Sequence, residues 1–160
     1  KAALASAELT EKATRLMAAL NRDAADVMAT FSVGACTDVT GFGLLGHLAE
    51  MVSGSGSSAE IHSEQVPVIA EALEFAAMGL IPAGTYKNRE FREPMVAFAD
   101  TVARVRQDIL FDPQTSGGLL ISVSARRAEA LVAALKDAGV EGAAQIGEII
   151  SGPAEKIWVG

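Results

Sequence analysis

Apolar residues recur at helical spacing near the start of the chain. Ala13, Leu16, Met17, Leu20, Ala24, Val27, Met28 and Phe31 would form one stripe. Asn21-Arg22-Asp23 interrupts that stripe, so two shorter helices are the other solution. A turn at Ser32-Val33-Gly34 leads into a short strand at 35–38. The turn Thr40-Gly41-Phe42-Gly43 then opens a helix over 44–52. Residues 53–58 are Ser and Gly only, which reads as a loop too short to link domains. Ala59 and Ile61 alternate with Glu60 and His62, the pattern of a half-buried strand with His62 facing solvent.

Residues 68–78 read as a helix stopped by Gly79, and 81–93 as irregular, because Pro82 and Gly84 punctuate it and charges crowd it. A helix is expected over 95–106 and a strand over 119–123. Ala128, Leu131, Val132, Leu135 and Ala138 mark the clearest helix, with Gly139 placed to end it. Strands at 145–150 and 156–159 close the chain and have the spacing of a hairpin. No internal repeat is present. Several strands are half-polar, which predicts an α+β fold with a single mixed sheet and helices on one face. That two-layer α/β sandwich fits better than a doubly wound sheet, whose strands are apolar throughout.

Length and composition agree. A chain of 160 residues with 50% hydrophobic and 21% charged residues suits one compact domain, 1–160. At this size about 70% of the unfolded surface is buried, enough for a core without staples. The net charge of −7 argues against nucleic acid and anionic membranes, since affinity for phosphate backbones comes mainly from Lys and Arg. A single cysteine, Cys36, allows no internal disulfide, and the expected setting is cytoplasmic. No apolar run approaches the roughly 18 residues of a membrane span. The opening Lys1-Ala2-Ala3-Leu4 does not resemble a secretion signal, and the absent Met leads us to expect a piece of a longer chain.

Two strings could carry chemistry. In Cys36-Thr37-Asp38-Val39-Thr40-Gly41-Phe42-Gly43-Leu44-Leu45-Gly46-His47, an aspartate ends a strand and two glycines precede a helix. A helix amino terminus offers unpaired N–H groups to phosphate oxygens. Asp38 beside it could give one oxygen to Mg2+, which takes one or two carboxylates plus waters and substrate phosphates. The plain alternative is a tight turn with Asp38 or Thr40 capping the helix. The second string is Asp112-Pro113-Gln114-Thr115-Ser116-Gly117-Gly118, whose glycines permit close backbone approach. Its plain alternative is a loop feeding a strand.

Taken together, Thr37 to His47 and Phe111 to Leu120 closely resemble the two signature stretches in the carboxy-terminal half of selenophosphate synthetases. Gly79-Leu80-Ile81-Pro82-Ala83-Gly84-Thr85-Tyr86-Lys87-Asn88 resembles that family's Pro-Gly-Gly-Thr-x-x-Asn loop, with Ala83 at the first glycine. Order and spacing hold over essentially the whole chain. The resemblance implies the fold of the aminoimidazole ribonucleotide synthetase carboxy-terminal domain. It also implies a two-domain enzyme that turns selenide, ATP and water into selenophosphate, AMP and orthophosphate. The partner is then the chain's own amino-terminal domain, which carries the catalytic cysteine or selenocysteine and lysine and builds a homodimer. Nothing here matches that catalytic segment, so no catalytic residue is assigned and the chain alone is expected to be inactive.

On this resemblance Asp38 is the one metal ligand given by this half, expected to be accessible. Mg2+ and ATP are the implied cofactors, both needing the other domain. Thr37, Thr40, Gly41, Gly43, Thr85, Asn88, Gln114, Thr115, Ser116 and Gly117 are candidates for the nucleotide and phosphate cleft. Cys36 is expected to be a small buried hydrophobe, since free Cys is usually buried. For His47, packing or capping is expected over catalysis. Two alternatives remain: another superfamily member, such as a hydrogenase-maturation protein or a thiamine-phosphate kinase, or a free-standing binding module without activity.

Overall fold

The computed structural model describes residues 4–160; the opening Lys1-Ala2-Ala3, where no secretion signal is read, lies outside them. Two helices come first, α1 (Ala7–Ala18) and α2 (Arg22–Met28), broken where Asn21-Arg22-Asp23 interrupts the stripe. The Ser6 hydroxyl caps α1 by accepting from the Leu9 N–H at 3.1 Å. The shared stripe does not become a shared interface. Ala24, Val27 and Phe31 pack against Leu131 and Leu135, whereas Leu20 is 76% exposed and α1 buries no residue.

Strand β1 (Val33–Asp38), helix α3 (Gly43–Ser55) and strand β2 (Ser58–Ile61) follow. Helix α3 runs into the serine-rich stretch read as a loop and ends at Gly56, whose φ of 62° supplies a left-handed cap. Helix α4 (Ala70–Ala77) stops before Gly79 as expected. Residues 81–93 are not irregular: they hold helix α5 (Ala83–Arg92). Residues 95–106 are not one helix either, but strand β3 (Val96–Phe98) followed by helix α6 (Arg104–Ile109). Strand β4 (Leu119–Val123), helix α7 (Ala125–Asp137) and strands β5 (Gly147–Ile150) and β6 (Ile157–Val159) complete the order.

The fold is mixed α/β with a mixed sheet, as expected, but not every strand joins that sheet. Strands β1 and β4 pair antiparallel as a separate ribbon, in which Asp38 opposes Leu119 and Cys36 opposes Ile121. The four-stranded sheet has the order β3-β6-β2-β5. Strands β5 and β6 are therefore not a hairpin. β2 lies between them, parallel to β6 and antiparallel to β5.

The main core lies between α3 and this sheet. Leu45, Leu48, Ala49 and Val52 meet Ala59, Ile61, Ile157 and Val159, with Phe111 and Leu110 alongside. A second cluster seats α2 and α7 on Leu119, Ile121 and Val123 of the ribbon. Helix α5 is fixed by a charge instead. Arg89, buried, pairs with Asp108 of α6 at 2.7 Å and lies 5.6 Å from the Phe98 ring centroid. The same guanidinium donates to Gln107 of α6 at 2.8 Å, and removing one partner of such a buried pair typically costs about 3–5 kcal/mol because the other charge is left uncompensated.

Candidate functional site

The three strings singled out in the sequence meet in one place. Ribbon pairing ends at Asp38 and Leu119, and the two chains stay zipped beyond it. The Val39 N–H donates to the Gly118 carbonyl at 3.0 Å, the Gly117 N–H to Val39 at 2.8 Å, and the Gln114 N–H to Thr40 at 3.0 Å. Glycine is required at the crossings. A Cβ on Gly43, where φ is 70°, would sit 2.7 Å from the Phe111 carbonyl carbon. One on Gly117 would meet Val39 at 2.9 Å, and one on Gly84 would meet the Pro113 ring at 2.8 Å.

Helix α5 clasps this junction through its third string. The Asn88 carboxamide donates to the Gly41 carbonyl at 2.9 Å and to the Phe111 carbonyl at 3.0 Å. Thr85, buried, donates its hydroxyl to Asp112 Oδ1 at 3.0 Å, and the Gln114 amide reaches Asp112 Oδ2 at 2.9 Å. Burial pushes the Asp112 carboxyl above its ordinary value, and the donors Thr85 and Gln114 pull it partly back. Asp112 is thus the acceptor that joins the second and third strings. Nothing in its spacing marked it, although it stands inside the recognised string.

The amino end of α3 is also engaged. The Gly43 N–H donates to Thr40 and the Leu45 N–H to Leu110 at 3.1 Å. Two N–H groups that a phosphate would need are committed to protein carbonyls. Ser116 donates to the Ala19 carbonyl at 3.3 Å, and exposed Thr115 has no side-chain hydrogen bond among the described residues.

Asp38 stands at the rim of this junction. It is exposed at the end of β1, and its carboxylate has no hydrogen-bond or ion-pair partner among the described residues. The Thr37 hydroxyl turns to the Asp38 backbone carbonyl at 3.2 Å, not to the carboxylate. Among the described residues no three His, Cys, Asp or Glu side chains gather as a metal site. A single exposed, unpaired carboxylate such as Asp38 is the kind of ligand Mg2+ takes, since Mg2+ needs few protein carboxylates.

Two expectations are corrected. Cys36 is exposed, not a buried hydrophobe, because β1 forms one edge of a two-stranded ribbon and the thiol emerges on it. Partial burial, then the nearby Asp38 charge, push its thiol above the ordinary value. His62 is half-buried and lies beyond the end of β2, at the start of a short 3-10 turn, so the alternation that turned it to solvent stops at Ile61. His47 packs as expected. It is 7% exposed, its Nε2 is 3.2 Å from the Thr40 hydroxyl, and its ring lies against Phe42 at 5.5 Å.

This geometry can be set beside known proteins. The sequence profile of the family described as AIR synthase related protein, C-terminal domain, matches residues 2–160. The chain belongs to that family. Among curated relatives, a "Selenide, water dikinase" of Pelobacter propionicus is 58% identical over 159 residues, 99% of this AIR synthase-related chain and 46% of the relative. "Selenide, water dikinase 2" of Peptoclostridium acidaminophilum is 43% identical over 159 residues, with the same two coverages. The chain spans about half the length of the curated relatives it matches. A crystal structure titled "Hydrogenase Maturation Protein HypE" superimposes with a TM-score of 0.58 at 19% identity, covering 88% of this chain and 38% of that one. At that identity the likeness shows the AIR synthase-related fold alone. No helix among the described residues is long and apolar enough to cross a membrane.

Proposed function

We propose that this AIR synthase-related chain is the carboxy-terminal domain of a selenophosphate synthetase, the selenide, water dikinase. The full enzyme converts selenide, ATP and water into selenophosphate, AMP and orthophosphate, and this half gives one Mg2+ ligand and closes the ATP cleft. The observation that carries the reading is Asp38. Around it the recognised strings spend their polar groups on each other, while its carboxylate stays exposed and uncommitted. Relatives named selenide, water dikinase, at 43% and 58% identity, support the choice of reaction.

In this reading the chain acts by presentation. The zipped strands and the Asn88 clasp hold Asp38 at the rim, so little reorganisation is needed when the other domain brings its own ligands. Mg2+, when bound, would neutralise charge on the phosphates of ATP. Thr37, Thr40, exposed Gln114 and Thr115, and the Ser116 and Gly117 turn form the surface facing that cleft, with Gly41, Gly43, Thr85 and Asn88 shaping it from behind. The reading carries further proposals: the partner is the chain's own amino-terminal domain, the whole enzyme is a homodimer, and its setting is cytoplasmic without nucleic acid or membrane.

ATP turnover with selenide tests this. The comparison is between the full-length enzyme bearing this domain, its Asp38→Asn variant and the 160-residue chain alone. AMP formation by the parent, a loss of about a hundredfold or more in the variant, and no turnover by the chain are expected. Normal turnover in Asp38→Asn, or ATP hydrolysis by the chain alone, would overturn the assignment.

A further inference from the structure

The four-stranded sheet has two faces, and α3 covers one. Side chains alternate along a strand, so with Ile157 and Val159 turned into the core, Trp158 between them points outward. Register carries this outward row across the sheet as Ala97, Trp158, Glu60 and Glu148. Ala97 and Glu148 are exposed, and Trp158 and Glu60 half-buried. Beside the indole lies a hollow of about 240 Å3, bounded by Glu60, Ala97, Phe98, Ala99 and Trp158. Its room comes from the two alanines, which leave one flank of the indole without a neighbour of comparable size.

The row also breaks a packing rule. Glu60 and Glu148 stand directly opposite each other on antiparallel strands, where like charges destabilise a sheet. Neither carboxylate has an ion-pair or hydrogen-bond partner among the described residues. Lys156, two residues before the indole, gives its ammonium to the Pro94 carbonyl at 2.8 Å instead. Local conflicts of this kind are expected where a surface has work to do. A flat indole with one unpaired carboxylate on the adjacent strand and a second on the strand beyond it complements a guanidinium, which stacks on aromatic faces and donates in a planar fork to carboxylate oxygens.

We propose that this outward row docks an arginine side chain of a partner protein. The guanidinium lies over Trp158 and donates to Glu60 and Glu148, with its aliphatic stem along Ala97. None of these residues belongs to the junction around Asp38, so the inference stands apart from the selenium reading.

Trp158 is the only tryptophan of the chain, so its fluorescence reports on this row alone. The experiment titrates the 160-residue chain with acetyl-Ala-Arg-Ala-amide and with the same peptide carrying neutral citrulline. A saturable change in emission is expected with arginine only. Affinity should fall about tenfold in the Glu60→Gln, Glu148→Gln double variant, because hydrogen bonds to ionised groups are roughly twice as strong as neutral ones. Both substitutions are on a solvated face, and an unchanged circular dichroism spectrum checks that the variant folds. Three results would overturn the proposal: no saturable response, equal binding of the citrulline peptide, or unchanged affinity in the double variant. A concentration-dependent dimer whose emission shifts on dilution without peptide would do the same, assigning the face to a second copy.

Discussion

The junction of the three strings and the end of β1 are next to each other in space and opposite in character. At the junction nearly every polar side chain is spent inside the protein: Asn88 on two carbonyls, Thr85 and Gln114 on Asp112. At the end of β1, Asp38 and Cys36 are exposed, and the carboxylate is committed to nothing. Both regions belong to strings that mark the same family. One set of residues is spent on the platform, and a single carboxylate is left uncommitted on it. Membership of a signature string therefore does not separate side chains spent on folding from side chains left available, but side-chain commitment does.

Substitutions can break that contrast. The largest effect on stability is expected from Gly43→Ala. Its Cβ would meet the Phe111 carbonyl carbon at 2.7 Å on a backbone with φ of 70°. A loss of about 3–4 kcal/mol, read by urea denaturation, is the expected scale for such strain. Asn88→Ala comes next. It strips a donor from the carbonyl of fully buried Phe111 and from Gly41, for about 2–3 kcal/mol. Asp38→Asn, by contrast, should leave stability within about 0.5 kcal/mol, as surface substitutions usually do. A Gly43→Ala or Asn88→Ala protein as stable as the parent would dissolve the distinction.

A subtler test is pH dependence. The Asp112 carboxyl lies above its ordinary value of 3.8, so the folded chain holds that proton more tightly than the unfolded chain does. Its contribution to stability is fully present below 3.8 and is lost as pH rises from there through the raised folded value. Asp112→Asn should flatten that part of the stability–pH curve, measured by denaturation at a series of pH values. The smallest effect concerns Cys36. Burial and Asp38 hold its thiol above the ordinary range, so alkylation near neutral pH should be slower than for a free cysteine. Asp38→Asn should speed it, since the nearby negative charge is removed. An unchanged rate would mean that the two side chains do not sense each other.

Much of this contrast was legible in the sequence, unevenly. β1, α3, β4 and α7 follow from alternation, periodicity and glycine stops, and the break between α1 and α2 from Asn21-Arg22-Asp23. Helix α5 was not legible because its inward positions are Thr85, Asn88 and Arg89, spaced as a helix but polar. A search for apolar stripes passes over a helix anchored by hydrogen bonds and a buried ion pair. β3 was missed for another reason. Three residues carry too little local signal, and Val96 to Phe98 become a strand only through pairing with β6, about sixty residues away. At the junction, the exposed place of Asp38 at the end of a strand was legible from its string. The exposure of Cys36 was not, since it depends on β1 pairing on one side alone.

The placement of β6 has a consequence for biosynthesis. This strand joins β3 to β2 in the sheet, yet residues 157–159 are translated after every element they touch. Until they leave the ribosome β3 has no partner, and the apolar face of α3 meets a sheet without Ile157 and Val159. A nascent chain at that stage shows sticky surface and unpaired strand edges, the species that chaperones capture and that aggregates recruit. Closure awaits contacts across nearly a hundred residues of chain, which favours slow, late and all-at-once assembly of the sheet.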